Sequence, residues 1–176
     1  MAVPARRQEV VFVRANVEDL HRVRAVIAAA ISAWPTTERL RRNALNVLTY
    51  DAVDLADTHI VLAQKDGAAL GVAAWRDHSW MADPAGTQSA LLHGLYVDHT
   101  CQRSGLGGSL QRYVASAVVN AGGHGLHVRA ERFAASYFER CGYQRLAGTE
   151  LVGVTGAYPH RFWIACGDLL AVTDLQ

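Results

Sequence analysis

One feature restricts the fold more than any other: a glycine-rich run, Gln102-Arg103-Ser104-Gly105-Leu106-Gly107-Gly108, set between a β-type segment and a helical one. Residues 90–97 are apolar enough to read as a strand. From Gly105 onward, Leu106, Leu110, Val114, Ala117 and Val118 recur at helical spacing, and Gly122-Gly123 ends the helix. A strand that passes through a tight loop into a helix calls for an α/β layer structure, because the helix must pack back on the sheet. Glycines let a backbone come close to a ligand. The amides that open a helix face outward, and the helix dipole adds roughly half a positive charge there. Such a loop holds a phosphate or pyrophosphate without a lysine. Two familiar phosphate loops are excluded. A Walker A loop ends in Gly-Lys-Ser/Thr, whereas the sequence here is Gly107-Gly108-Ser109. A dinucleotide fingerprint needs a third Gly or Ala where Leu110 stands.

The remaining periodicities supply the other layers. Residues 10–13 form a short β-rich run, and Asn16 reads as a helix N-cap with Glu18 and Asp19 in the first turn. Leu20, Val23, Ile27, Ile31 and Trp34 then form an amphipathic stripe. Pro35 stops that helix, and Thr36 or Thr37 caps a second with Leu40, Ala44 and Val47 inward. Residues 59–63 and 69–75 flank Lys65-Asp66-Gly67, a hairpin turn. Residues 76–89 read as a loop, 126–130 as a strand, 133–141 as a short helix closed by Gly142, and 143–154 and 161–166 as late strands. The result is a mixed α/β sheet with helices on both faces. At 176 residues, without an evident linker, residues 1–176 read as a single domain.

Composition narrows the function classes. Lys+Arg 17 against Asp+Glu 16 removes the electrostatic argument for a nucleic-acid or membrane-surface binder. No apolar run approaches the ~20 residues that span a bilayer. Cys101, Cys141 and Cys166 are odd in number and form no CxxC pair, so neither a disulfide framework nor a metal site is expected. Reduced thiols and a cytoplasmic location follow.

The run Gln102-x-x-Gly105-x-Gly107, preceded by Leu95-Tyr96-Val97, resembles the Gln/Arg-x-x-Gly-x-Gly/Ala signature of GNAT acetyltransferases. Further on, residues 134–143 (AASYFERCGY) resemble the family's second motif, commonly A-x-x-F-Y-x-x-x-G-F. The specific part of the resemblance is residues 91–143. It implies a mostly antiparallel GNAT-like sheet with splayed central strands. It also implies acetyl-CoA as co-substrate and transfer of the acetyl group to a primary amine of a small molecule or peptide, by direct attack in a ternary complex. Leu95, Tyr96 and Val97 would then contact the pantetheine, with Phe138 nearby. Arg103, Ser104, Gly105, Leu106, Gly107 and Gly108 would serve the pyrophosphate, with Gln102 fixing the loop. Family members are often dimers, so a homodimer is an expected assembly.

Amine acylation requires a neutral nucleophile, a polarised carbonyl and a proton for the leaving thiolate. His93 lies on the strand and, by simple alternation, shares a face with Leu91, Leu95 and Val97. It suits a base or proton relay, as in arylalkylamine-type members of the family, and equally a half-buried structural histidine. The family's usual acid is the Tyr of the F-Y pair, but here the pair is reversed. Phe138 occupies the acid's position and Tyr137 the packing position. Tyr137 is the nearest hydroxyl on that helix; otherwise another residue or solvent supplies the proton. The reversal also admits a second reading, a catalytically silent acyl-CoA-binding module. Glu131 reads as a cleft or solvated carboxylate, and Cys101 as a packing residue. Asp51, Asp54 and Asp57 attract an amine or form a charged turn, and Trp75, Trp80 and Tyr158 line an acceptor pocket or pack.

Overall fold

The computed structural model describes residues 9–81, 83–146 and 160–172. β1 (Val11–Arg14) leads to a reciprocal cap: the Asn16 side chain accepts from Glu18 N–H, and Asp19 accepts from Asn16 N–H. The 3₁₀ turn it starts runs into α1 (Leu20–Ser32), which buries Val23, Val26, Ile27, Ala30 and Ile31. Thr37 caps α2 (Glu38–Leu48) by accepting from Leu40 N–H. Here the structure corrects the expected face. Leu40 and Val47 are 56% and 76% exposed; Ala44 packs inward as expected, joined by Leu45 and Leu48. The helix offers two overlapping apolar stripes, and contacts outside it favour one. Arg41 donates to the carbonyls of Trp34 (3.0 Å) and Thr36 (2.6 Å), which rotates its side of α2 toward the end of α1.

β2 (His59–Lys65) and β3 (Ala68–Arg76) form the expected hairpin, with both Asp66 and Gly67 at positive φ, as a primed turn requires. β4 (Ser89–Val97), α3 (Leu106–Asn120), β5 (Gly125–Ala130), α4 (Ala135–Arg140), β6 (Gln144–Arg145), β7 (His160–Ala165) and α5 (Cys166–Ala171) follow. The last helix begins where a strand was expected to end. Cys166 and Leu169 turn into the core, and α5 packs on α3. The proposed strand beyond residue 146, and Tyr158, lie outside the described residues. Those described form one sheet ordered β1-β2-β3-β4-β5-β7-β6. Each neighbouring pair is antiparallel except β4 with β5. One apolar cluster lies between the sheet and α3, α4 and α5, and a second between the sheet and α1 and α2.

Two irregularities in β4 position the site. Its parallel ladder with β5 runs from Ser89↔Gly125 to Leu92↔Val128 and stops, while its antiparallel ladder with β3 continues to Val97↔Gly71. Beyond Leu92 the two central strands part. In the β3 ladder, Trp75 faces Leu92 and Ala74 faces Gly94, so His93 is the extra residue of a bulge. The bulge reverses the alternation. Leu92, Leu95 and Val97 all pack toward α3, whereas His93 turns to Tyr50 in the α1–α2 cluster. His93 therefore does not share a face with Leu95 and Val97, because strict period-two counting fails across an inserted residue.

Candidate active site

The loop after β4 is set by local bonds. Asp98 Oδ1 accepts from Thr100 N–H (2.9 Å) and from its hydroxyl (2.7 Å), and those bonds hold the Asp98 carboxyl below its usual range. Ser104 Oγ donates to the Cys101 carbonyl (2.6 Å). Arg103 (φ 62) and Gly105 (φ 82) are both left-handed, and Gly105 is the residue that caps α3. The first bond across this helix start runs from Ser109 N–H to the Gly105 carbonyl (3.1 Å). The amides of Leu106, Gly107 and Gly108 precede it, and a glycine cap offers them no side-chain acceptor. A Cβ built at Gly105 would meet nothing within 4 Å, so the space beside Gly105 is open. Gln102, Arg103 and Ser104 are exposed around it. Arg112, not singled out in the sequence, reaches back to this end. Its Nη1 lies 3.5 Å from the point a Gly108 Cβ would occupy, and its Nη2 donates to Ser109 Oγ. The signal was the helical spacing from Gly108 to Arg112, which puts both on one face.

From the loop, the open edge of β4 (Val97, Tyr96, Leu95) runs back to a cleft where β4 and β5 diverge. Leu92, His93 and Leu95 line one side, and Val128, Glu131 and Phe138 the other. Its volume is about 120 Å³. Sites that enclose a drug-sized ligand have roughly 300–1,000 Å³, so this cleft suits the reacting ends of molecules that extend beyond it. Trp34 and Phe133 bridge one end with ring centroids 4.8 Å apart.

At the cleft wall, His93 Nδ1 lies 2.9 Å from the Tyr50 hydroxyl. Gly94 makes room for this pair, because a Cβ there would come within 2.6 Å of the Tyr50 oxygen. Burial depresses the His93 pKa below its usual 6.5, assisted by the positive charges of Arg129 and Arg76 and opposed by Asp54 and Asp57. The imidazole is therefore neutral at pH 7. Tyr50 sits just past α2 in a stretch without periodicity, and nothing in the sequence marked it. Burial also raises the Glu131 carboxyl.

The second motif is distributed differently. Phe138, 6% exposed, lines the cleft and packs on Tyr143 and Phe162. The Tyr137 hydroxyl accepts from Gln111 Nε2 (2.8 Å) beside the first turn of α3, and burial pushes its pKa upward. The other candidates separate by their contacts. Asp51 Oδ1 accepts from Val53 and Asp54 N–H, and Asp54 accepts from Asp51 N–H, a self-contained turn. Asp57 faces Thr58 and Arg76. Trp75 is buried in the α3-side core, Trp80 is 61% exposed, and Cys101 lies against Thr100. No group of three or more metal-ligating side chains occurs among the described residues.

An open sheet with parted parallel strands and a glycine-capped helix at their carboxyl ends defines an α/β protein built to take a phosphate-bearing ligand at that edge. The chain belongs to the GNAT acetyltransferase family: the family model described as Acetyltransferase (GNAT) domain matches residues 37–153. Solved structures share the fold. PaiA N-acetyltransferase from Thermoplasma acidophilum, in complex with coenzyme A, aligns with TM-score 0.69 at 13% identity over 89% of this chain and 99% of its own. A GNAT family acetyltransferase from Brucella melitensis, in complex with acetyl-CoA, aligns with TM-score 0.59 at 19% identity, covering 90% and 88%. One from Staphylococcus aureus Mu50 aligns with TM-score 0.62 at 12% identity, covering 90% and 99%. At these identities the likeness establishes the fold alone. No curated protein matches in sequence.

Proposed function

We propose that this protein moves an acetyl group from acetyl-CoA to a primary amine of a small molecule or peptide. The observation that carries this reading is the continuous track from the loop along the unpaired edge of β4 to the His93 cleft. The residues present fit the cofactor. The amides of Leu106, Gly107 and Gly108, with the cations Arg103 and Arg112 at the same end, suit the pyrophosphate. Leu95, Tyr96 and Val97 offer backbone groups to the pantetheine, and the apolar Phe138 suits the acyl end. Acetyl-CoA supplies an activated thioester. The chain's own groups supply the rest. The amide edge of β4 near Leu95 donates to the carbonyl. His93, neutral at pH 7, takes the amine proton while its Nδ1 stays hydrogen-bonded to the Tyr50 hydroxyl, and the departing thiolate regains a proton from the imidazolium or from solvent. Aromatic Trp34 and Phe133 shape the acceptor's entry, with Glu131 as the carboxylate beside it.

A single domain fits this reading, since one sheet gathers the described strands from β1 to β7. Three free cysteines support a reducing, cytoplasmic setting, and the family resemblance supports a homodimer, which size-exclusion chromatography would test. The second reading, a silent acyl-CoA-binding module, draws on Phe138 standing where the family carries its acid. Thiol release from acetyl-CoA with a panel of amines decides between them. Turnover above the amine-free rate supports transfer, whereas coenzyme A binding without turnover on any amine supports the module.

A further inference from the structure

We infer that Tyr137 and Gln111 are positioning residues of the phosphate loop: together they fasten α4 to the first turn of α3 and so hold Gly107 where its amide serves the cofactor. Four contacts carry the inference. Gln111 Nε2 donates to the Tyr137 hydroxyl at 2.8 Å, and also reaches the Gly107 carbonyl at 3.4 Å and Cys141 Sγ at 3.7 Å. The point a Gly107 Cβ would occupy lies only 2.6 Å from the Tyr137 oxygen. The hydroxyl therefore sits directly over the loop residue, while the neighbouring Phe138, not Tyr137, lines the cleft.

Gln111 is 0% exposed, between Leu110 and Val114 of the apolar cluster. Its Oε1 has no hydrogen-bond partner among the described residues. An unmatched acceptor in an apolar core is destabilising, and a leucine there would avoid it. The polar side chain is accounted for by what its nitrogen gathers: the loop, α4 and the residue that caps α4. Gly107 has a second role on this view. It is small because Tyr137 stands over it, as well as because a ligand approaches.

The inference rests on the coenzyme A reading above, and the experiment separates the two. Coenzyme A binding is measured by calorimetry, and acetyl-CoA-dependent turnover alongside it, for the wild type and four variants: Tyr137→Phe, Gln111→Leu, Gly107→Ala and the double variant Tyr137→Phe/Gly107→Ala. Losing one such hydrogen bond should weaken coenzyme A binding and raise KM for acetyl-CoA about two- to tenfold, with kcat at saturating acetyl-CoA little changed. Removing the tyrosine oxygen clears the space for the alanine methyl, so the double variant should bind no worse than Gly107→Ala alone, a non-additive cycle. Gln111→Leu keeps the core apolar, so it tests the latch even where Tyr137→Phe lowers stability. Wild-type coenzyme A affinity in both folded Tyr137→Phe and Gln111→Leu overturns the inference. A fall in kcat without a change in affinity also overturns it, assigning the hydroxyl to proton transfer. A wild type that binds no coenzyme A removes the functional reading itself, and the latch with it.

Discussion

The two ends of the parted β4–β5 pair are built on opposite principles. At the loop, the proposed functional groups are backbone amides, aimed by left-handed turns at Arg103 and Gly105 and by a helix start without a side-chain cap. In the cleft, they are side chains drawn from distant segments: His93 from β4, Tyr50 from beyond α2, Glu131 from the end of β5, Trp34 from the end of α1. A backbone site survives most substitutions outside its glycines. A side-chain site tolerates drift wherever another group can take over. The reversed Tyr137-Phe138 pair spans the two: Phe138 lines the cleft, Tyr137 stands over Gly107, and the loop signature itself is intact.

The change that would do most to break this contrast is at Gly105. A β-branched residue at φ 82 is strained whatever the space around it, so the loop must rearrange. Gly105→Val should weaken coenzyme A binding at least about tenfold, or 1.4 kcal/mol, while circular dichroism remains that of a folded protein. An unchanged dissociation constant would break the comparison by removing the backbone site.

His93→Ala comes next. A base must be unprotonated, and the folded-state pKa of His93 lies below 6.5. The wild-type rate at saturating acetyl-CoA should therefore rise with pH through a midpoint below 6.5 and level off above it. The variant should lose that limb and about 10²-fold or more in rate, with coenzyme A binding kept. Tyr50→Phe should move the midpoint and cost less. Identical pH profiles in wild type and His93→Ala would leave the histidine a structural role only.

Asp98→Ala should cost about 1 kcal/mol of stability, as for other lost caps, by chemical denaturation at pH 7. The Asp98 pKa is depressed in the fold, so its contribution is present above the unfolded value and fades as pH falls through the folded one. The gap between wild type and variant should therefore close in acid. The smallest effect belongs to Val47→Ser. At 76% exposure it should change stability by no more than about 0.5 kcal/mol, whereas Leu48→Ala, at 7%, should cost about 2–5 kcal/mol. Equal effects would restore the α2 face that apolar spacing alone suggests.

By itself the sequence determined what depends on residues a few positions apart. Asn16 and Thr37 as caps, the Asp66-Gly67 turn, the run from β4 through Gly105 into α3, and the order of elements as far as β7 are all of this kind, since dihedral limits, capping and periodicity act over one or two turns. Tertiary structure decided the remainder. The rotation of α2 follows from where Arg41 finds carbonyls at the end of α1. The bulge that turns His93 to Tyr50 joins residues 43 positions apart. Tyr137 settles over Gly107 because Gln111, 26 positions away in the chain, meets it there. Such pairings depend on how whole helices and strands pack against each other. A one-residue change of register exchanges the faces of a strand and turns a helix by about 100 degrees.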